Sequence, residues 1–114
     1  TFVNAGSADA RESAPEGESR VIRAGETSAD AMREKGAHVL DTQAARLAAL
    51  GVGWADATAT QVYSVHDIHS VLENEVQPRG AAPGGLTWFH ARPPVEGLGY
   101  EMDVRSVSVE RFLD

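Results

Sequence analysis

Residues from about Ala29 to Leu50 restrict the fold more than any other part of this sequence. Met32, Val39, Leu40, Leu47 and Leu50 recur at helical spacing, with Gln43 on the same line and Gly36 at its waist. Thr27 or Ser28 can serve as N-cap, and Asp30 puts negative charge in the first turn, where the helix dipole favours it. Gly51 followed by Val52 is a helix stop with its hydrophobic partner. Gly36 costs about 1 kcal/mol against alanine in mid-helix, and close packing of the helix on a sheet is one reason to tolerate it. A helix this long with one apolar stripe needs a sheet beneath it.

The rest of the chain supplies strands. Phe2-Val3-Asn4-Ala5-Gly6 reads as a short strand closed by glycine, and residues 7–17 as a polar loop broken by Pro15 and Gly17. Arg20-Val21-Ile22-Arg23 is a brief strand or an extended approach to the helix. Ala57 to Val65 is rich in Thr, Val and Tyr and alternates, which predicts a strand. A second helix is expected over Ile68 to Val76, with Asp67 at its N-cap position. Pro78, Gly80, Pro83, Gly84 and Gly85 form a connection rich in breakers. Leu86 to Ala91 and Tyr100 to Val109 complete the strands.

The order is strand, brief strand, helix, strand, helix, strand, strand: an α+β chain whose two helices bury their stripes on one face of a mixed sheet. No third helix is left for the other face. Identical copies of the chain are the natural cover, and a closed ring is a common way to arrange them.

Composition narrows the function. With 114 residues there is material for a single domain, 1–114, and one core. The formal charge of −7, without a cluster of Lys and Arg, opposes binding to nucleic acid. No apolar run is long enough to cross a bilayer. The chain has no cysteine, which excludes disulfides, thiolate catalysis and cysteine-ligated zinc, and is compatible with the cytoplasmic location expected for it.

Several stretches together resemble the RidA-like (YjgF/YER057c/UK114) superfamily. Leu47-Ala48-Ala49-Leu50-Gly51 leads through Trp54-Ala55-Asp56-Ala57-Thr58 to Val62-Tyr63-Ser64-Val65-His66-Asp67-Ile68, like that family's passage from helix to turn, strand and short helix. Ala91-Arg92-Pro93-Pro94 and then Tyr100-Glu101-Met102-Asp103-Val104 resemble its ending, and Phe2-Val3-Asn4-Ala5-Gly6-Ser7 an early strand. The resemblance implies a chorismate-mutase-like fold, a homotrimer, and a small-molecule site in the cleft between subunits. It implies hydrolysis of an imine, enamine or related metabolite, with no cofactor and no metal. It also places the family's first strand upstream of Thr1.

Carried over residue by residue, the family's water-positioning carboxylate falls on Glu101, its early glycine on Gly6, and a position often held by cysteine on Thr87. Its carboxylate-gripping arginine falls on Gly85, which cannot form a bidentate pair as arginine does. Arg79 or Arg92 would have to reach into the cleft instead. Imine hydrolysis needs a carboxylate grip, a placed water and a proton donor, because the imine carbon is already electrophilic. Glu101 and His90 are therefore the candidate catalytic groups, and Gly6, Thr87, Trp88 and Arg92 the candidate substrate contacts.

Each candidate has a plainer counterpart. His90 is of a residue type that can act as a general acid or base, but a structural histidine is the plainer and preferred reading. Trp88 and His90 share one side of a strand, with Thr87 and Phe89 on the other. Glu101 and Asp103 point the same way, and paired carboxylates divide acid and base roles when their surroundings differ; on a solvated face they are ordinary strand polarity. His66, Asp67 and His69 lack an obvious third metal ligand, so a capping aspartate beside exposed histidines is the preferred reading. Two rival functions remain. One is a metabolite-binding trimer without catalysis. The other is an amidohydrolase freed by self-cleavage, with Thr1 as N-terminal nucleophile and the upstream fragment as partner.

Overall fold

The computed structural model describes residues 2–93 and 97–107, apart from the side chains of residues 5 and 6. Thr1 lies outside the described residues. Helix α1 spans Ala29–Ala49, with Ser28 as its cap: the Ser28 hydroxyl accepts the Ala31 N–H at 3.1 Å. Met32, Val39, Leu40, Gln43 and Leu47 are buried along the expected stripe. Leu50 is not; it sits at the C-cap, past the sheet, and is 59% exposed. Gly51 then takes φ of 78°, the left-handed turn that glycine adopts at little cost.

Strands β1 (Phe2–Ala8), β2 (Ala59–Tyr63), β3 (Leu86–Phe89) and β4 (Glu101–Ser106) form a four-stranded sheet in the order β1-β4-β2-β3. β4 is antiparallel to both neighbours, and β2 and β3 are parallel. The mixed sheet with both helices on one face is the α+β architecture expected from the order of elements.

Further local expectations change. β1 runs on through Ser7 and Ala8, because Asp9 behind it is buried rather than part of a solvated loop. Residues 20–23 make a single antiparallel bridge, Ala10 to Val21, and no strand. The chain turns there because Arg23 takes a positive φ of 45° and holds Glu26, Asp30 and Glu34. Gly36 packs closely against the second helix, not the sheet: a methyl group there would collide with Val71.

That second helix, α2, begins as His69–Val71, widens into a π-turn over Leu72–Val76 and closes with Gln77–Arg79. The expected breaker Pro78 lies inside it. Proline offers no N–H and crowds the carbonyl four residues back, and the wider turn before it accommodates both. The Gln77 N–H accordingly reaches back to Leu72 O. Asp67 accepts the His69 N–H at 2.9 Å at the start of this helix.

Between helices and sheet lies an apolar core that includes Met32, Leu40, Val62, Ile68, Val71 and Met102. Polar groups inside it act as clamps. Gln43 accepts from Asn4 and donates to Met102 O at 2.8 Å, joining α1 to β1 and β4. The Asp9 carboxylate accepts from Lys35 at 2.8 Å and from the backbone N–H groups of Gly99 and Tyr100. Both members of the Asp9–Lys35 ion pair are almost wholly buried. No helix among the described residues is long and apolar enough to cross a membrane.

Candidate functional site on the open sheet face

Alternation along each strand sends every second side chain away from the helices. Pairing register then sorts those side chains into rows. Glu101 of β4 lies opposite Tyr63 of β2, which lies beside Phe89 of β3. The next row holds Asp103, Gln61 and Thr87, and the one after it Val3, Arg105 and Ala59. No described helix covers this face. Val3 is 61% exposed and Phe89 41%, on the two opposite edge strands of the face.

These side chains hold one another in place. The Tyr63 and Phe89 rings stack with centroids 5.2 Å apart. The Tyr63 hydroxyl is 3.3 Å from an Asp103 carboxylate oxygen and 3.1 Å from Gln61 Oε1, so it can donate to either. Arg105 Nη2 donates to the same Gln61 oxygen at 3.2 Å. Burial pushes the Glu101 carboxyl above the ordinary range, and the negative charge of Asp103 beside it pushes further. Burial, and then Asp103, likewise raise the Tyr63 hydroxyl. The arrangement keeps a proton on a carboxyl at higher pH than usual, next to a charged partner and a hydroxyl.

The structure brings some of the expected site residues together and separates others. Glu101 and Thr87 share the open face, one row and two strands apart, and Asp103 joins them. Gly6 falls where the pairing of β1 with β4 shifts register, between Asn4 and Ser7. Trp88 points the other way: it packs on the core, and its indole N–H donates to Ser64 O at 2.9 Å. His90 follows Trp88, with ring centroids 6.3 Å apart, and is exposed. Within one chain it therefore does not meet Glu101.

The two arginines expected to stand in at the cleft are elsewhere. Arg79 is held by Asp41 at 2.6 Å and Glu75 at 3.1 Å on the helix side. Arg92 lines a small depression of about 140 Å³ with Lys35, His66 and Gly99, and neither Thr87 nor Glu101 borders it. His69 and Asp67 form an exposed pair, 2.6 Å apart. Among the described residues no group of three His, Cys, Asp or Glu is placed to hold a metal ion.

Sequence reasoning missed Tyr63, Gln61 and Arg105 as members of this constellation. The alternation of β2 was visible, but which β2 residue faces which β4 residue depends on register, and nothing local to either strand encodes it.

A model of the family described as 2-aminomuconate deaminase CnbZ matches residues 1–111. The chain belongs to this family. It is 43% identical over 113 residues to a 2-amino-5-chloromuconate deaminase from Comamonas testosteroni, a match that covers 99% of this chain but 45% of that protein. The chain thus spans a little under half the length of the curated relative it matches. Two solved structures share the fold of this CnbZ-family chain. A member of the YjgF/YER057c/UK114 family from Mycobacterium tuberculosis superposes with a TM-score of 0.53 at 23% identity, covering 68% of each chain. YyfB, a protein of unknown function of the Rid family from Yersinia pestis, superposes with a TM-score of 0.57 at 14% identity, covering 91% of this chain and 77% of the other. The RidA-like fold expected from the sequence is the fold found.

Proposed function

We propose that this chain is the Rid-type unit of an enamine deaminase acting on 2-aminomuconate or a chlorinated relative of it, and that the open sheet face is its site, closed by further copies of the chain. The placement of Glu101 carries the reading: a carboxyl whose pKa is raised, on a face that no described helix covers, beside Asp103 and Tyr63.

Such a residue suits the chemistry. A protonated Glu101 gives its proton to the enamine carbon next to the amine-bearing one, and the C=C–N unit becomes an iminium ion. The carboxylate left behind takes a proton from water as the water oxygen bonds to the iminium carbon. The resulting carbinolamine then loses its nitrogen: Glu101 protonates the amine, the C–N bond breaks, and the hydroxyl returns a proton to Glu101 as the carbonyl forms. Ammonia and a 2-oxo diacid leave, and the carboxyl ends as it began. Thr87, one row over and exposed, is a hydroxyl partner for the bound diacid. A closed, water-poor cleft strengthens each of these interactions.

Ammonia release from 2-aminomuconate tests the reading. Glu101→Gln keeps the shape and removes the proton, so turnover falls by about 10²- to 10⁴-fold with the thermal midpoint unmoved. Undiminished turnover in that variant would remove Glu101, and the mechanism with it.

A further inference from the structure

We infer that Gln61 and Thr87 together bind a carboxylate of the substrate, whose oxygens take an amide N–H from Gln61 and the hydroxyl proton of Thr87. The inference rests on the deaminase reading for what the substrate is, and on the hydrogen bonds of the open face for where it is held.

The Gln61 amide is turned one way by its neighbours. Arg105 Nη2 lies 3.2 Å from one end of it and can only donate, so that end is the oxygen. The Tyr63 hydroxyl lies 3.1 Å from the same oxygen. The amide nitrogen therefore faces away from both, and among the described residues neither of its N–H groups has a partner. Nor is it one of the buried atoms that lack a partner, so these donors are open to a ligand. With its oxygen engaged and its nitrogen free, the side chain can take only an acceptor.

Thr87 supplies the second donor. It is the direct partner of Gln61 in the parallel pairing of β2 with β3, it is exposed, and its hydroxyl has no partner among the described residues. Neighbouring strands lie about 4.8 Å apart, so amide and hydroxyl stand side by side and can converge on one carboxylate. The ground next to them is low. Ala59 precedes Gln61 on this face and Gly85 precedes Thr87, and nothing lies within 4 Å of where a Cβ on Gly85 would be.

Neutral donors suffice for an anion, because a hydrogen bond to a charged acceptor is roughly twice as strong as one between neutral groups. Like charges at close range disfavour binding, but Asp103, the carboxylate of this row, is on the other side of Gln61, two strands from Thr87. The pair also lies one row from Glu101, on the face where the enamine is to be protonated.

Muconate and its dimethyl ester share a carbon skeleton, release no ammonia and differ in their free carboxylates, so their binding, read by calorimetry, isolates the grip. The unaltered protein should bind muconate more tightly than the ester. Thr87→Val keeps the shape without the hydroxyl and should erase about 10-fold or more of that preference, whereas Thr87→Ser should keep it. Gln61→Met removes the amide donors without adding charge and should erase a similar share. A preference that survives Thr87→Val or Gln61→Met overturns the inference, and so does one lost equally in Thr87→Ser. Equal weakening of both ligands, the mark of a merely structural glutamine, overturns it too. If Gln61→Met does not fold, Gln61→Glu decides, since it keeps an acceptor for Tyr63 and Arg105 and loses the N–H groups. In about 0.5 M salt, where repulsion at a distance is screened, a preference kept by that variant overturns the inference and one lost supports it. Unaltered protein with no preference for muconate also overturns it, even if it deaminates. One that prefers muconate without releasing ammonia from 2-aminomuconate keeps the carboxylate grip and removes the deaminase reading instead.

Discussion

The two faces of the sheet are built from alternate residues of the same four strands, yet they treat polar groups in opposite ways. On the covered face each polar side chain is a clamp: Gln43, Thr60 and Ser64 bind backbone carbonyls, with Thr60 donating to Ala81 O at 2.9 Å and Ser64 to Gly99 O at 2.7 Å. On the open face the polar groups bind one another sideways, through Arg105, Gln61, Tyr63 and Asp103, and no described helix packs over them. The first arrangement spends hydrogen-bonding capacity on holding the fold. The second holds charged and polar groups in place relative to one another on the surface of the sheet. On the proposed reading, stability and chemistry are separated by a single residue step along each strand.

The largest effect that would test this separation is expected at Asp9. Its carboxylate binds Lys35 and two backbone N–H groups in a buried site, so Asp9→Ala leaves an ammonium uncompensated. The expected loss is about 3–5 kcal/mol of unfolding free energy, read from urea denaturation. Removing Lys35 as well, in Asp9→Ala/Lys35→Met, should recover part of it, because the stranded charge is gone. A mild loss in the single variant would mean that the covered face is not locked as described.

Asp9 also marks how far the sequence could be read. Its neighbours Ala8, Ala10 and Arg11 suggest a solvated loop, and the partners that bury it, Lys35 and Gly99, are 26 and 90 residues away. The helix stripe was legible because its signal is local and repeats: Met32, Val39, Leu40 and Leu47 landed where periodicity put them. Strand parity was legible for the same reason, which is why Trp88 and Thr87 separate to opposite faces as expected. What failed was everything that depends on register or on contacts between distant elements. Arg105 has no distinguishing local pattern; only the Ala59 and Gln61 rows show that it belongs beside Thr87 and Glu101. His90 was drawn toward Glu101 by chemistry alone, and parity sends it the other way.

A smaller effect is expected at Gly36, where α1 meets α2. Alanine there gains about 1 kcal/mol in helix propensity but drives a methyl group into Val71. Overpacking of this kind costs about 1–3 kcal/mol, so Gly36→Ala should be neutral to moderately destabilising in the same denaturation experiment. Pairing it with Val71→Ala should restore part of the loss, since the two residues touch and their effects are not additive. Ammonia release per folded molecule should not change in either variant. A change would mean that the covered side reaches the chemistry after all.

The smallest expected effect lies on the open face itself. Glu101 is raised first by burial and second by Asp103, so Asp103→Asn removes the second cause and leaves the first. A carboxyl that starts the reaction protonated loses activity as pH rises through its pKa. Taking away the neighbouring negative charge lowers that pKa, and the falling limb of the pH–rate profile should move to lower pH by about one unit or less. Thr60→Val, one residue before Gln61 on β2 but facing the helices, gives the matched control. It strands a buried carbonyl and should cost stability, yet it should leave the limb where it was. If both variants move the limb alike, the field at Glu101 is set by the fold as a whole and not by its row neighbours. If only Asp103→Asn moves it, the two faces are electrostatically as separate as their hydrogen bonds are.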